Sequence, residues 1–350
     1  MLKISRAHIN EIGQVTDAKS LCPLLQKAIE LEHSTIPPYL TAMISLHPGK
    51  NREIWGIIHS VVIEEMLHMS IAANVLTALG GEPAINKPDF IPNYPGTLPM
   101  GIGDGLVVGL EKYSADVVEK VFMEIEEPED PLNFPDSTLE SVLPEFGTIG
   151  EFYQALQKAI GELPGGDTLP GDPARQVTDT SIFPETELFP IITKNDAIRG
   201  MEIIIDQGEG SPDSPLDPEG ELAHYYRFQE LVKGKRLIKD TSVPEGFSFS
   251  GDPIPFDSAA VFPLKKNTKS SDLPAGSEQK RQADLFNFTY GKLLNALHRA
   301  FNGDPAFLSS TLGLMFDLKL VAETMAAMPI SNTPGSEHVG PPFEYVNVNA

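Results

Sequence analysis

The stretch Ile63-Glu64-Glu65-Met66-Leu67-His68-Met69 places a carboxylate and an imidazole inside an otherwise apolar helical pattern. Glu65 and His68 are three residues apart, so on a helix their side chains lie side by side. A buried carboxylate and imidazole need a counter-charge or a bound metal ion. The stretch therefore predicts a helix at about 53–79 that carries half of a metal site into the protein core. The apolar residues that share its face are Ile54, Ile58, Val61, Ala72, Val75 and Leu79.

The composition limits the classes of partner. The 350 residues include 49 acidic and 26 basic side chains, which give a net charge of −23. This field repels nucleic acid and anionic membrane surfaces and attracts cations, so we expect neither nucleic acid nor a membrane as a partner. The single cysteine, Cys22, excludes intrachain disulfides and thiolate-rich metal sites. Residues 1–20 lack the apolar segment of a signal peptide, and no run reaches membrane-spanning length, so we expect a cytoplasmic protein.

Apolar periodicity and turn residues predict a mainly α-helical chain with long loops. The first helix contains Pro37-Pro38, which should kink it or force one irregular turn. We expect one domain, 1–350, built as a four-helix bundle with long irregular loop insertions and additional C-terminal helices. The predicted bundle helices are about 17–46, 53–79, 148–162 and 220–233, and the extra helices are about 284–301 and 308–328. Less regular segments are an irregular 1–16, a candidate strand at 105–110, a helix from Ser114 to Glu126 and a short helix near 197–205.

The spacing of carboxylates and imidazoles matches a known dimetal arrangement. Helical bundles that bind two metal ions use one Glu from each of two helices and a Glu-x-x-His pair from each of the other two. Composition predicts about one acidic residue three positions before a histidine, and the chain has three such pairs, Glu30/His33, Glu65/His68 and Glu221/His224. This enrichment is mild, so the assignment depends on helix placement. Glu221 and His224 fall in the predicted helix 220–233 and form the second pair.

The first helix supplies Glu32 as its inward carboxylate. Glu32 shares a face with apolar residues such as Ala28 and Ile36, whereas Glu30 shares the face of Lys27. Glu32 lies roughly fourteen residues before the turn and Glu65 roughly fourteen after it, at about 1.5 Å of rise per residue. In an antiparallel hairpin the two carboxylates therefore meet at one level. Glu32, Glu65 and His68 are predicted to form a half-site.

The third helix offers two carboxylates. Glu151, in Thr148-Ile-Gly-Glu151, is favoured, but Thr-x-x-Glu is also the pattern of a capping box. Its position near a helix start aligns poorly with Glu221 if the two helices are antiparallel, although the long crossover allows a parallel arrangement. Glu126, at the end of the preceding helix, is the alternative. Tyr39 and Tyr153 are expected in the core, with hydrogen bonding beside the site as their alternative role.

Several longer blocks of sequence carry a resemblance to a known family: Leu31-Glu-His-Ser-Thr-Ile-Pro-Pro-Tyr-Leu40, Glu64-Glu-Met-Leu-His-Met69 with Asn74 and Gly80-Gly-Glu-Pro83, Thr148-Ile-Gly-Glu-Phe-Tyr153, Ala223-His-Tyr-Tyr-Arg-Phe228 and Gly340-Pro-Pro-Phe-Glu-Tyr345. These blocks resemble the ferritin-like domain of the iminophenyl-pyruvate dimer synthase family. The resemblance covers most of the chain and implies a ferritin-type four-helix bundle with a carboxylate and histidine metal site. The family pattern would place ligands at Glu32, Glu65, His68, Glu151, Glu221 and His224.

The resemblance also implies a class of chemistry. The family's named activity couples two imines of aromatic 2-oxo acids in bacterial violacein- and indolocarbazole-type pathways. We therefore expect a non-haem oxidoreductase with two divalent metal ions, iron or alternatively manganese, acting on a small aromatic amino- or oxo-acid-derived metabolite. Its partners would be that small molecule and, in a homo-oligomer, further copies of the chain. The alternatives are a metal-storage protein and a structural partner of a biosynthetic complex; no catalytic residue is assigned.

Overall fold

Helices account for most of the ordered structure in the computed structural model of the chain, which describes residues 4–101, 105–128, 131–132, 146–210 and 214–348. The mainly helical prediction and the extra C-terminal helices are confirmed. Two short antiparallel pairs accompany the helices, β1 (Ile4–Ser5) with β2 (Phe146–Gly147) and β3 (Ile238–Lys239) with β4 (Phe247–Ser248). The helices of the described residues are α1 (Arg6–Ile12), α2 (Ala18–Ile44), α3 (Arg52–Ala78), α4 (Ala115–Val117, Val118–Phe122 and Met123–Glu126 in succession), α5 (Ile149–Gly161), α6 (Lys194–Glu209), α7 (His224–Lys233), α8 (Glu278–Phe301) and α9 (Leu308–Ala326).

The hairpin of α2 and α3 is the centre of the fold. Asp17 caps α2 by accepting a hydrogen bond from the Ser20 backbone N–H at 3.0 Å. Helix α2 is continuous through Pro37-Pro38. Because Pro38 has no N–H, it cannot donate to the carbonyl of Ser34 one turn earlier. The Tyr94 hydroxyl donates to that carbonyl instead, at 2.7 Å, so a loop side chain satisfies the group that the proline leaves free.

Helix α4 has an irregular middle. It consists of Ala115–Val117, Val118–Phe122 and Met123–Glu126 in unbroken succession, and the central piece is a π-helix. Ser114 caps it, as the sequence predicted, by accepting from the Val117 N–H at 3.1 Å. A π-turn adds a residue to one turn and rotates every later side chain around the helix axis. Glu126 follows this rotation and is buried at 7 % exposure.

Four local predictions need correction. Helix α7 begins at His224, four residues later than predicted, because Leu216 and Leu222 form a β-bridge before it. Helix α6 is a full 16 residues, longer than the predicted 197–205. Residues 6–12 are helical, and the apolar run 105–110 forms only an isolated bridge from Val108 to Gly96.

Amide side chains fasten the long loops to the helices. Asn74 on α3 donates to the carbonyl of Val177 at 2.7 Å and accepts from the N–H of the same residue at 2.9 Å. Gln26 on α2 makes the same pair of bonds with Ala84, at 3.0 and 2.8 Å. Each amide side chain thus bonds both the N–H and the carbonyl of one loop residue, as a neighbouring strand would in a sheet.

Loss of the Asn74 clamp should destabilise the fold. In Asn74→Ala the N–H and carbonyl of Val177 lose their partner in a buried position, which costs about 2 to 4 kcal/mol. We expect the melting temperature to fall by about 3 to 5 °C in a scanning calorimetry experiment. Asn295→Ala is the matched control, because Asn295 makes one bond to the carbonyl of Val348. A fall no larger than in the control would contradict the clamp.

Within the described part of the chain, two helices are long and apolar enough, by length and composition, to cross a membrane, which contradicts the prediction that no segment reaches that length. In Arg52–Ala78, 83 % of the apolar window is buried inside the protein, which is the burial of a core helix. In Pro305–Ala326 the buried share is 22 %, and Phe316 and Leu320 are exposed. This second helix leaves an apolar face on the protein surface.

Candidate metal centre

The α2–α3 hairpin brings Glu32, Glu65 and His68 together. All three side chains are buried, and His68 Nδ1 lies 3.6 Å from Glu32 Oε2 and 4.0 Å from Glu65 Oε1. The Tyr153 hydroxyl, on α5, donates to Glu32 Oε1. Thr35, one turn along α2, donates to Glu65 Oε2 at 2.8 Å. The free carboxylate oxygens are thereby held toward the imidazole.

A second group forms where α4 and α7 meet α3. His224 Nδ1 lies 3.0 Å from Glu65 Oε1 and 3.4 Å from Glu126 Oε2. The Tyr39 hydroxyl donates to the other oxygen of Glu126. Glu65 therefore belongs to both groups, Glu32/Glu65/His68 and Glu65/Glu126/His224, and within each the ligand atoms lie within 4.8 Å of one another. The rings of His68 and His224 are 5.4 Å apart, centroid to centroid.

The outer nitrogens of the two imidazoles have different partners. His68 Nε2 lies 2.9 Å from Gln207 Oε1, on α6. His224 Nε2 lies 3.0 Å from Glu64 Oε2 on α3. Glu64 also accepts from Arg227 Nη1 at 2.8 Å. Both imidazoles thus have Nδ1 directed toward the carboxylates of the two groups, Glu32 and Glu65 for His68 and Glu65 and Glu126 for His224.

Burial and like charge shape the protonation of the group. Burial, followed by the neighbouring carboxylate of Glu126, raises the pKa of Glu65 to about 7. Burial would also raise the pKa of Glu64, but its bonds and charge interactions with His224 and Arg227 lower it to about 2. Burial opposes a charge on His224, yet the carboxylates of Glu126, Glu64 and Glu65 raise its pKa well above 6.5. The site therefore holds several carboxyl groups close together, and two imidazoles balance their charge.

The structure separates two predicted ligands from this group. Glu151 is the N3 residue of a capping box: its backbone N–H donates to Thr148 Oγ1 at 3.0 Å, and its carboxylate accepts from the Thr148 N–H at 3.1 Å. Glu221 is 69 % exposed and pairs with Arg227 at 3.3 Å. It precedes α7, and Ala223 is extended, so the three-residue spacing to His224 does not place the two side chains together. The alternative Glu126 occupies the position expected of Glu151.

Three contacting residues were outside the predicted set. Thr35 and Glu64 lie within the quoted blocks of sequence. The sequence alone does not show that Thr35 contacts a carboxylate or that Glu64 contacts an imidazole. Gln207 is 139 residues from His68 in the chain, so no local pattern could pair them. The two tyrosines show both of their alternative roles, since Tyr39 and Tyr153 are fully buried and also hydrogen-bond to the site.

An acidic surface beside Gln207 gives a pH-dependent prediction. Partial burial, with the charges of Glu202, Asp217 and Glu219, raises the pKa of Asp206 from 3.8 to about 6. Between pH 4 and 6 the folded chain keeps a proton that the unfolded chain has lost, so stability falls as the pH rises through this window. After allowance for solvent screening, Asp206→Asn should stabilise by about 1 kcal/mol at pH 7.5.

The measurement for Asp206→Asn is the melting temperature at two pH values. We expect a rise of about 1 to 2 °C at pH 7.5 and no change at pH 4, where the aspartate is already protonated in the folded chain. Glu119→Gln removes one exposed negative charge on α4 and serves as the control for net charge. An equal rise at both pH values would contradict the assigned cause.

Together, the fold and the two groups define a helical protein with buried carboxylates and imidazoles that can hold metal ions. A family model described as ferritin-like matches residues 25–233, more than half of the chain, so the chain belongs to the ferritin-like family. A search of curated proteins gave no match. The crystal structure of a ferritin-like protein from Caulobacter vibrioides is similar at 22 % identity and a TM-score of 0.56, over 87 % of this chain and 93 % of that one. This second likeness supports the fold alone.

Proposed function

We propose that the two groups bind two divalent metal ions, iron or alternatively manganese. The observation that carries this proposal is the Nδ1 atom of His224. The side chain has 0 % exposure, and among the described residues this nitrogen has no hydrogen-bond partner, since its carboxylate neighbours lack hydrogen-bond geometry. Buried polar atoms rarely lack a hydrogen-bond partner. A cation between His224, Glu65 and Glu126 would use the nitrogen and stabilise the ionised form of Glu65, whose pKa is raised to about 7 by burial and then by the Glu126 carboxylate.

The donor set fits such a pair of ions. Glu32, Glu65 and His68 would hold one ion, and Glu65, Glu126 and His224 the other, with Glu65 shared. Carboxylate and imidazole together suit iron and manganese. Three protein donors on each ion leave positions for small molecules. Glu151 and Glu221, the other two predicted ligands, have other roles in this assignment, as a helix cap and as a surface partner of Arg227.

We further propose that the chain is a non-haem oxidoreductase. The bound ions would supply Lewis acidity and redox equivalents for oxidation by dioxygen or peroxide. The protein's own residues fix the donors: Tyr39 and Tyr153 each hold one carboxylate oxygen, and Thr35 holds one oxygen of Glu65. The burial of all five ligand side chains limits the access of water to the two groups. The resemblance to iminophenyl-pyruvate dimer synthases favours a small aromatic amino- or oxo-acid-derived substrate, with oxidative imine coupling as the reaction.

An open surface depression near the site offers space for a small substrate. It measures 350 Å³, within the range of small-molecule sites, and Arg227 lies in its wall. Arg227 connects it through Glu64 to His224. Its lining residues are Glu53, Gly56, Ile57, Ser60, Glu221, Leu222, Arg227, Glu230 and Arg236, and none of the described residues of the proline-rich loops 82–113 and 161–218 is among them.

Anaerobic loading with ferrous iron tests the proposal. We expect close to two ions per chain by elemental analysis, a change in the optical spectrum when oxygen is added, and oxygen consumption that depends on an aromatic 2-oxo acid with an amine. Fewer than one ion per chain in the unaltered protein would overturn metal binding. Iron oxidation without consumption of any organic substrate would overturn the oxidoreductase assignment and leave storage.

A further inference from the structure

The two groups contain the same kinds of donor and differ in one feature of their surroundings. Each has one imidazole through Nδ1, each uses Glu65, and each has a second carboxylate that accepts a tyrosine hydroxyl. The difference lies behind the imidazoles. His68 faces the neutral amide oxygen of Gln207 at 2.9 Å, and His224 faces the carboxylate of Glu64 at 3.0 Å.

The Glu64 carboxylate is held in place. Arg227 donates to its other oxygen at 2.8 Å and to Ser60 Oγ at 3.1 Å, and the Arg227 side chain is only 8 % exposed. Arg227 also donates to the carbonyl of Leu222, just before α7. The order Arg227–Glu64–His224 is therefore a rigid chain of charge-assisted hydrogen bonds. Gln207 offers His68 an acceptor without charge.

This difference changes the donor strength of the imidazoles. A carboxylate that accepts the outer N–H of a ligating histidine raises the basicity of the inner nitrogen, and such partners commonly affect metal affinity by about 10- to 100-fold. A neutral amide has a weaker effect because it carries no charge. Since the remaining donors are of the same kinds, the charge of the outer partner is the chemical feature that distinguishes the two positions.

We propose that the two metal positions are inequivalent and fill in order, the His224 position first and the His68 position second, with Glu64 and Gln207 as the positioning residues that set the order. This inference rests on the proposed function in its assignment of the ligands. It adds that the singly loaded protein carries its ion between Glu65, Glu126 and His224.

Calorimetric titration of the metal-free full chain with Co²⁺ at one fixed pH tests the order. We expect two binding steps that differ by at least about 10-fold in affinity. His224→Ala should remove the tighter step and His68→Ala the weaker one. The d–d absorption of bound Co²⁺ reports the coordination of each step independently of any enzyme activity.

Substitutions of the outer partners give the sharper result. Glu64→Gln should weaken the tighter step by about 10-fold or more and leave the weaker step in place. Gln207→Glu should tighten the weaker step and narrow the gap. Glu221→Gln is the matched control, because it removes the other carboxylate partner of Arg227 without touching His224, and both affinities should stay as in the unaltered chain.

The outcomes separate this inference from the proposed function. No Co²⁺ binding by the unaltered chain would overturn the metal site itself. Two equal steps, or equal weakening of both steps in Glu64→Gln, would overturn the order while keeping the site. Circular dichroism checks that each variant is folded. If Glu64→Gln is not folded, Gln207→Glu alone tests the role of the outer partner, with a tighter second step expected and an unchanged second step overturning that role.

Discussion

Glu65→Gln is expected to lose both metal ions, whereas His68→Ala loses one. The reason is that Glu65 belongs to both groups, so one substitution removes a negatively charged donor from each ion. An amide oxygen is a much weaker ligand for iron or manganese than a carboxylate. We expect metal content after loading and desalting to fall from near two ions per chain to near zero. Glu151→Gln is the control and should keep both ions, because Glu151 caps α5.

The same substitution should act in the opposite direction on the metal-free protein. Burial and Glu126 raise the pKa of Glu65 from 4.5 to about 7, so above pH 7 its ionised form destabilises the folded chain relative to the unfolded one. Neutral Gln removes this penalty. Metal-free Glu65→Gln should therefore melt at or above the temperature of the unaltered protein at pH 8, with a smaller difference at pH 4.5. A lower melting temperature at pH 8 would show that metal loss reflects damage to the fold.

The first half of the site could be predicted because it depends on short-range geometry. Helix periodicity shows which face of α2 and α3 is apolar, and a short turn fixes the level at which Glu32 and Glu65 meet. The structure brings these two residues and His68 together as expected. This prediction did not depend on any contact outside the α2–α3 hairpin.

The second half could not be predicted in full, because it depends on where helices begin and how they turn. The three-residue spacing of Glu221 and His224 implies proximity only inside a helix, and α7 starts at His224 itself. The π-turn in α4 alters the face on which Glu126 lies, and a regular period of 3.6 residues cannot show it. The capping box at Glu151 is a local alternative that competes directly with a ligand role.

Gly171→Ala should cause the largest loss of stability, because a loop residue presses against the end of the helix that carries the site. The Gly171 N–H donates to the carbonyl of Ala78 at 2.8 Å. A Cβ at Gly171 would lie 2.0 Å from the carbonyl oxygen of Thr77 and 2.8 Å from Ala78 backbone atoms. Backbone atoms within α3 cannot move aside as a flexible side chain would. We expect a cost of more than about 4 kcal/mol and a fall in melting temperature of about 5 °C or more.

Gly166→Ala is the matched control in the same loop, since a Cβ there meets nothing within 4 Å. Its melting temperature should stay within about 1 °C of that of the unaltered chain. A small effect of Gly171→Ala would mean that the loop does not rest on the end of α3. Because Asn74 is six residues beyond His68 on the same helix, a loop that holds this end also restricts the movement of the helix that positions Glu65 and His68. The two loop substitutions therefore test whether the fastening of the loop, as well as the bundle itself, keeps the donors in register.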